Sequence, residues 1–240
     1  MKRILVALGG NALKKEDKKG TYEEQFRNVS IACKHLIKLI KMGYQLIITH
    51  GNGPQAGALL IQQEEGIRRD IPKQPLDVIN AMTQGQIGYI IQQTLTNYLK
   101  EENLKIPVIS VVTQVLVRKN DPDFKDPSKP VGPFYTLEEA QEIMKKNPSI
   151  IIKKVKPGEG RVYRRVVPSP DPIKIVEADI IRRIVDLGAI VIACGGGGIP
   201  VIEDENENLR GVEAVIDKDL ASERLAEVVN PDIFLILTNY

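Results

Sequence analysis

The apolar run Val191-Ile192-Ala193-Cys194 passes directly into four consecutive glycines, Gly195 to Gly198. Residues without a Cβ let backbone N–H groups turn toward a ligand that any side chain would hold away. Clusters of such groups bind anions, phosphate foremost. The pattern recurs at Leu5-Val6-Ala7-Leu8 before Gly9-Gly10-Asn11, and at Leu46-Ile47-Ile48-Thr49-His50 before Gly51-Asn52-Gly53. One glycine loop after a strand is compatible with a plain tight turn. Three of them, each ending a continuous apolar run, call for buried strands whose carboxyl ends lie together, as in a parallel sheet.

The intervening segments supply the helices that such a sheet needs. Thr21 and Glu24 form a capping box ahead of Phe26, Val29, Cys33, Leu36, Ile37 and Ile40, which share one helical face, and Gly43 closes that helix. Further helices are expected over 55–63, 81–99 and 178–187, the last stopped by Gly188, and one more from Asp217. Strands are expected over 3–8, 44–49, 107–117, 189–194 and 233–237. Residues 119–133 carry Pro122, Pro127, Pro130 and Pro133 among polar residues, which predicts an extended excursion rather than sheet or helix. A short helix capped by Thr136 and Glu139 follows, then a hairpin with arms 150–155 and 162–167. A second hairpin turns at 204–208. Residues 119–172 therefore read as an inserted, protruding subdomain. The fold class is α/β, a three-layer α/β/α doubly wound and mostly parallel sheet with ligands at the carboxyl ends of its strands.

Composition narrows the function classes. The chain has 240 residues, 42% of them hydrophobic, enough for a large core in one domain or two lobes. Its net charge of +2 comes from interspersed opposite charges, and its tyrosines and phenylalanines form no stripe with basic residues. That pattern argues against a nucleic-acid or anionic-membrane partner. Cys33 and Cys194 sit in apolar patterns and read as small buried hydrophobes, without disulfide or zinc spacing. No run reaches membrane-spanning length and no leader is legible, so a cytoplasmic location is expected.

Among the charged candidates, Lys218 lies between Asp217 and Asp219 at an expected helix start. A lysine there can neutralise phosphoryl oxygens while the carboxylates orient it or help to hold Mg²⁺. Acidic residues also favour any helix N-terminus, so spacing alone leaves Lys218 open between a catalytic and a surface role. Lys129, flanked by Ser128 and Pro130, reads by itself as a surface lysine. His50 has no Ser, Cys or metal partner at a recognisable spacing and reads as a hydrogen-bonded structural residue; His35, within its amphipathic helix, also reads as structural. Asn11 and Asn52 fit helix caps or substrate-orienting groups equally. No G-x-x-x-x-G-K-[ST] signature occurs, which excludes a P-loop, and no G-x-G-x-x-G follows the first strand, which weakens a dinucleotide site.

Several longer stretches carry a family resemblance. They are Ala7-Leu8-Gly9-Gly10-Asn11-Ala12-Leu13, Thr49-His50-Gly51-Asn52-Gly53-Pro54-Gln55 and Lys129-Pro130-Val131-Gly132-Pro133-Phe134-Tyr135. To these belong Arg165-Val166-Val167-Pro168-Ser169-Pro170, the Gly195 to Gly198 run with Pro200, and Val215-Ile216-Asp217-Lys218-Asp219. In this order, over essentially the whole chain, they resemble the carbamate kinases of the amino-acid kinase superfamily. The resemblance implies Mg²⁺-dependent phosphoryl transfer between ATP and carbamate, giving ADP and carbamoyl phosphate, often run toward ATP during arginine breakdown. Carbamate is already an anion and needs no base, so catalysis would rest on positioning and positive potential.

By the same resemblance, Lys218 stabilises the transferred phosphoryl group, Asp219 orients the lysines or the metal, and Lys129 reaches in from the subdomain. Gly9, Gly10 and Asn11 would line the phosphate path, and Gly51, Asn52 and Gly53 would hold the carbamate end. Gly195, Gly196, Gly197, Gly198, Asp217 and Thr238 would serve the nucleotide. No dedicated metal ligand is assigned; Mg²⁺ is expected on ATP or ADP, with Asp217 or Asp219 assisting. A substrate-binding lobe would span 1–118 and 173–188, the subdomain 119–172, and the start of a nucleotide-binding lobe 189–240. Family members continue past the strand ending at Thr238, so that lobe is expected to be C-terminally incomplete. A homodimer is also implied. Two rival readings stay open: a kinase of another small acyl acid, and a non-catalytic protein that binds nucleotide or carbamoyl phosphate.

Overall fold

A computed structural model of the protein describes residues 1–10 and 19–237. Its elements, in chain order, are β1 (Arg3–Leu8), α1 (Tyr22–Lys41), β2 (Gln45–His50), α2 (Gly53–Ile67), α3 (Leu76–Glu101), β3 (Val108–Ser110) and β4 (Gln114–Val117). Then follow β5 (Lys129–Tyr135), α4 (Leu137–Lys146), β6 (Ile151–Lys154), β7 (Tyr163–Val167), β8 (Pro172–Ile175) and α5 (Ala178–Asp186). The last are β9 (Ile190–Ile192), β10 (Ile199–Glu203), β11 (Leu209–Gly211), α6 (Lys218–Val229) and β12 (Ile233–Leu237).

Successive strand side chains point to opposite faces of a sheet, and the apolar runs use both. The central sheet has the order β12-β1-β2-β9-β3, and every pairing in it is parallel. On one face Ile4, Val6, Leu8, Leu46, Ile48, Ile190 and Ile192 pack with α1 and α3 residues such as Val29, Leu36, Ile87 and Leu95. On the other, Leu5, Ile47 and Val191 pack with Ile181 and Val185 of α5 and Ala221, Leu225 and Val229 of α6. Two dry cores on one parallel sheet make the three layers that continuous apolar strands require. Both predicted capping boxes are formed, at Thr21 with Glu24 and at Thr136 with Glu139. Gly43 and Gly188 follow their helices with φ of +89° each, a conformation that L side chains resist. Cys33 and Cys194 are buried free thiols, and burial pushes the Cys33 thiol up to about 12. Among the described residues no helix is long and apolar enough to cross a membrane.

A second sheet has the order β11-β10-β4-β8, and a third, β5-β7-β6, is antiparallel. Here the structure corrects the sequence reading twice. The strand expected over 107–117 is two strands in different sheets. Between them the Thr113 N–H donates to Gln84 Oε1 at 2.7 Å, so a side chain from α3 takes the hydrogen bond that a continuing strand would have made. The excursion expected over 119–133 ends in β5, which holds Pro130 and Pro133. β5 lies at the edge of its sheet, where a residue without an N–H is tolerated. Its pairing register shifts between Val131 and Tyr135. His35 differs too: it falls off the apolar stripe of α1 and is exposed.

Candidate active site

The carboxyl ends of β1, β2 and β9 stand side by side, so their glycine turns meet. Gly51 shows why: a Cβ there would lie 3.1 Å from the Gly10 nitrogen and 3.6 Å from Lys218 Cδ. Gly196, at φ +64°, leaves no room for a Cβ beside the Asn52 side-chain amide. Much of this glycine content therefore serves close packing of loop on loop. The backbone donors bear this out in detail. Gly9 N–H donates to Leu237 O and Gly51 N–H to Leu8 O, each at 2.9 Å, continuing the sheet ladder. Gly197 and Gly198 N–H donate to Cys194 O and Gly195 O, each at 3.0 Å, closing the loop on itself. Those four N–H groups are engaged internally, in contrast to the ligand-facing cluster that the bare glycine run suggests.

A buried polar network holds the loops from behind. Asn52 occupies the N-cap position of α2 without capping it; its Nδ2 donates instead to Asn80 Oδ1 at 3.1 Å and Thr83 Oγ1 at 2.9 Å on α3. Gln84 Nε2 donates to both Thr113 O and Gly195 O at 3.1 Å, and Cys194 N–H donates to Thr113 Oγ1 at 3.1 Å. Sequence reasoning missed these residues. Their signal was present as Asn80, Thr83 and Gln84, polar at helical spacing inside an otherwise apolar helix face. His50 is 1% exposed, packs its ring against Gly195 and shares a 3.0 Å hydrogen bond between Nδ1 and Gly51 O. Burial lowers its pKa to about 4, against a smaller opposing effect of the Gly51 carbonyl. A neutral, enclosed imidazole is structural, as its sequence context indicated.

The charged groups converge over these loops. Asp217 caps α6, its Oδ1 accepting the Asp219 N–H at 2.9 Å. Its Oδ2 receives Lys129 Nζ from β5 at 3.3 Å, across 88 residues of sequence. Lys218 opens α6 and donates to Asp219 Oδ1 at 2.6 Å. Ser222 Oγ donates to Lys218 O at 2.6 Å and lies 2.7 Å from Thr49 Oγ1, which fastens the first turn of α6 to β2. Burial pushes the Asp217 carboxyl up, but the Asp219 N–H and Lys129 outweigh it and hold it below the usual range. A cavity of about 240 Å³ is lined by Gly51, Asn52, Gly196, Lys129, Asp217 and Lys218, with Ser169 and Asp219 also at its wall. A larger hollow of about 430 Å³ beside α3, lined by Tyr89, Gln93 and Lys100, lies apart from these groups.

Each lysine is thus paired with an aspartate, Lys129 with Asp217 and Lys218 with Asp219. Among the described residues no three His, Cys, Asp or Glu side chains cluster as a metal cage. Two carboxylates suit Mg²⁺, which binds through one or two carboxylates while substrate phosphates and water complete its shell. Asn11 and Thr238 lie outside the described residues.

Comparison with known proteins gives one answer. Residues 2–240 match the amino acid kinase family. The carbamate kinase of Thermococcus kodakarensis is 55% identical over 241 residues, covering 100% of this chain and 75% of that protein. The carbamate kinase of Pyrococcus furiosus is 52% identical, covering 99% of this chain and 74% of that protein. The structure of Giardia lamblia carbamate kinase bound to AMP-PNP superposes with a TM-score of 0.91 at 43% identity, covering 99% of this chain and 73% of that one. With its parallel sheet, converging glycine loops and paired lysines, the chain belongs to the carbamate kinases of the amino acid kinase family.

Proposed function

We propose that the protein is a carbamate kinase that interconverts ATP and carbamate with ADP and carbamoyl phosphate, using Lys129 and Lys218 as its phosphoryl-binding cations. The observation that carries the assignment of roles is the convergence of both lysines on one cavity at the carboxyl ends of β1, β2 and β9. A carbamate oxygen attacks the terminal phosphorus of ATP, the bond to the bridging oxygen breaks, and ADP leaves with the electron pair. Lys218, anchored at the start of α6, neutralises charge on the transferred group. Lys129 approaches from β5. Asp217 and Asp219 keep the two ammonium groups oriented until phosphate displaces them. Gly51, Asn52 and Gly53 wall the carbamate end, and Gly9, Gly10 and Asn11 the phosphate path. Gly195 to Gly198, with Thr238, border the nucleotide. Mg²⁺ on the nucleotide, assisted by Asp217 or Asp219, supplies further charge neutralisation when bound.

ATP synthesis during arginine breakdown is the proposed physiological direction, and residues 119–172 the proposed mobile subdomain, inserted in and protruding from a substrate lobe of 1–118 and 173–188, with a nucleotide lobe beginning at 189. A cytoplasmic homodimer is proposed on the family resemblance; exposed Val78, Met82 and Tyr89 on α3, beside the edge strand β3, support the pairing. The deciding experiment is ATP formation from ADP and carbamoyl phosphate with Mg²⁺, with acetyl phosphate as the control donor. ATP from carbamoyl phosphate alone is the expected result. Equal use of acetyl phosphate would favour a broader acyl-phosphate kinase, and binding without turnover a non-catalytic protein.

A further inference from the structure

The small sheet and the stretch ahead of α6 meet along a seam that carries, besides the Lys129–Asp217 contact, an ion pair between Arg165 and Glu213. One Glu213 carboxylate oxygen accepts the Leu76 N–H at the start of α3 at 2.9 Å, and the other accepts Arg165 Nη2. Arg165 stands on β7 opposite Val131 of β5, and two pairs along the same ladder Val167 faces Lys129. On the other side, Glu213 precedes Asp217 by four residues and Lys218 by five. The seam is completed by the Val215 N–H donating to Pro168 O at 3.0 Å. Beneath it, Val131, Val167 and Val215 pack with Ala56, Leu60, Leu76 and Ile79.

An exposed ion pair alone contributes little. This one has a shielded half, since the Arg165 side chain is only 17% exposed against 47% for Glu213, and the carboxylate serves a part-buried backbone donor as well. Removing it leaves shielded donors unsatisfied. Burial pushes the Glu213 carboxyl up, but the Leu76 N–H and Arg165 outweigh it and hold it below the ordinary range, which favours the ionised tie. In the contact nearer the cavity, between Lys129 and Asp217, the cation is the more exposed one, at 46% against 17% for Arg165. On the roles proposed above, that contact is the one an arriving phosphoryl group must break.

We propose that Glu213 is a positioning residue for phosphoryl transfer, tying Arg165 of the small sheet to the stretch that bears Asp217 and Lys218 and so setting the separation of Lys129 from Lys218. The inference rests on the roles proposed above for those two lysines. Misplacing a catalytic group by about 1 Å can cost on the order of a hundredfold in rate.

The test uses the full chain and two readouts. Glu213→Gln keeps an acceptor for Leu76 but presents an amide N–H to Arg165; Arg165→Met cuts the same tie from the other side, and both must give the same pattern. In ATP formation from carbamoyl phosphate, each is expected to lower kcat about tenfold to a hundredfold while KM for ADP stays within about twofold. In a Lys129→Ala background, Glu213→Gln is expected to cost nothing more, because the group it positions is gone. Hydrogen exchange of the free protein is expected to quicken over 129–135. Wild-type kcat in both variants, or a loss that multiplies in full with that of Lys129→Ala, overturns the proposal. A wild-type chain that makes no ATP sinks the functional reading instead; exchange over 129–135 then still decides whether Glu213 fastens β5.

Discussion

The two lysines of the site arrive on supports of very different kinds. Lys218 opens a helix packed through Ala221, Leu225 and Val229 into a dry core on the central sheet, and its side chain is only 18% exposed. Lys129 opens an edge strand of a three-stranded sheet, and its side chain is 46% exposed. That small sheet has a minor core of its own, Tyr135, Ala140 and Ile152. It meets the body through one further small cluster and a few polar ties, among them Tyr135 OH donating to Glu64 Oε1 at 2.6 Å. Apolar area buried sets how firmly an element is held, and regions with few buried contacts open first. One cation thus stands on a deeply packed helix and the other on a lightly held edge strand, which fits the proposed roles of a fixed and a delivered charge.

The largest effect is expected at Lys218. Lys218→Ala is expected to lower ATP formation about a thousandfold with the fold retained by circular dichroism, the cost of losing a preorganised charge at the reacting phosphoryl group. Near-wild-type turnover would remove Lys218 from the chemistry.

The body should also show its rigidity in pH dependence. His50 binds its proton only below about 4 when folded, against 6.5 for an unperturbed imidazole. The unfolded chain therefore takes up a proton first as pH falls. Stability from this residue is complete above about 6.5 and declines as pH drops toward 4, by roughly 3 kcal/mol in all. Urea midpoints measured between pH 7.5 and pH 4.5 (roughly the window this linkage spans) should fall accordingly, and His50→Gln should flatten the slope. An unchanged slope would mean that the imidazole is accessible in the native state.

At the delivered cation the expected loss is smaller. Lys129→Ala should reduce kcat about a hundredfold, since a half-exposed ammonium group exerts a more screened field than a shielded one. A loss equal to that of Lys218→Ala would make the two cations equivalent in the chemistry. The mildest effect belongs to the cap of α4. Thr136→Ala should cost about 1 kcal/mol, read as faster hydrogen exchange over 137–146 while exchange in β1 and β2 holds. Global destabilisation would show the small sheet and body to be one cooperative unit.

Legibility in the sequence followed the range of the interactions. The stripe Val29, Cys33, Leu36, Ile37, Ile40 and the boxes at Thr21 and Thr136 are local, and the structure has them where the pattern put them. The glycine loops were legible as a gathering point, yet their reason was only half visible. A sequence shows that Gly196 has no side chain; only the fold shows that Asn52 occupies the space. β5 was hidden because Pro130 and Pro133 are tolerable only once the strand is known to lie at an edge. The break at Val111 to Thr113 was hidden because a glutamine from another helix satisfies the departing backbone.

By itself the sequence determined the strand and helix alternation, the burial of both strand faces and the family, since apolar periodicity and motif order are properties of neighbouring residues. The tertiary structure alone decided that Lys129 meets Asp217, that Asn80, Thr83 and Gln84 brace the loops, and that Glu213 links Arg165 to Leu76. Those partners are drawn together by packing across long stretches of chain, and no local pattern of side chains specifies which distant group will satisfy a given charge or amide.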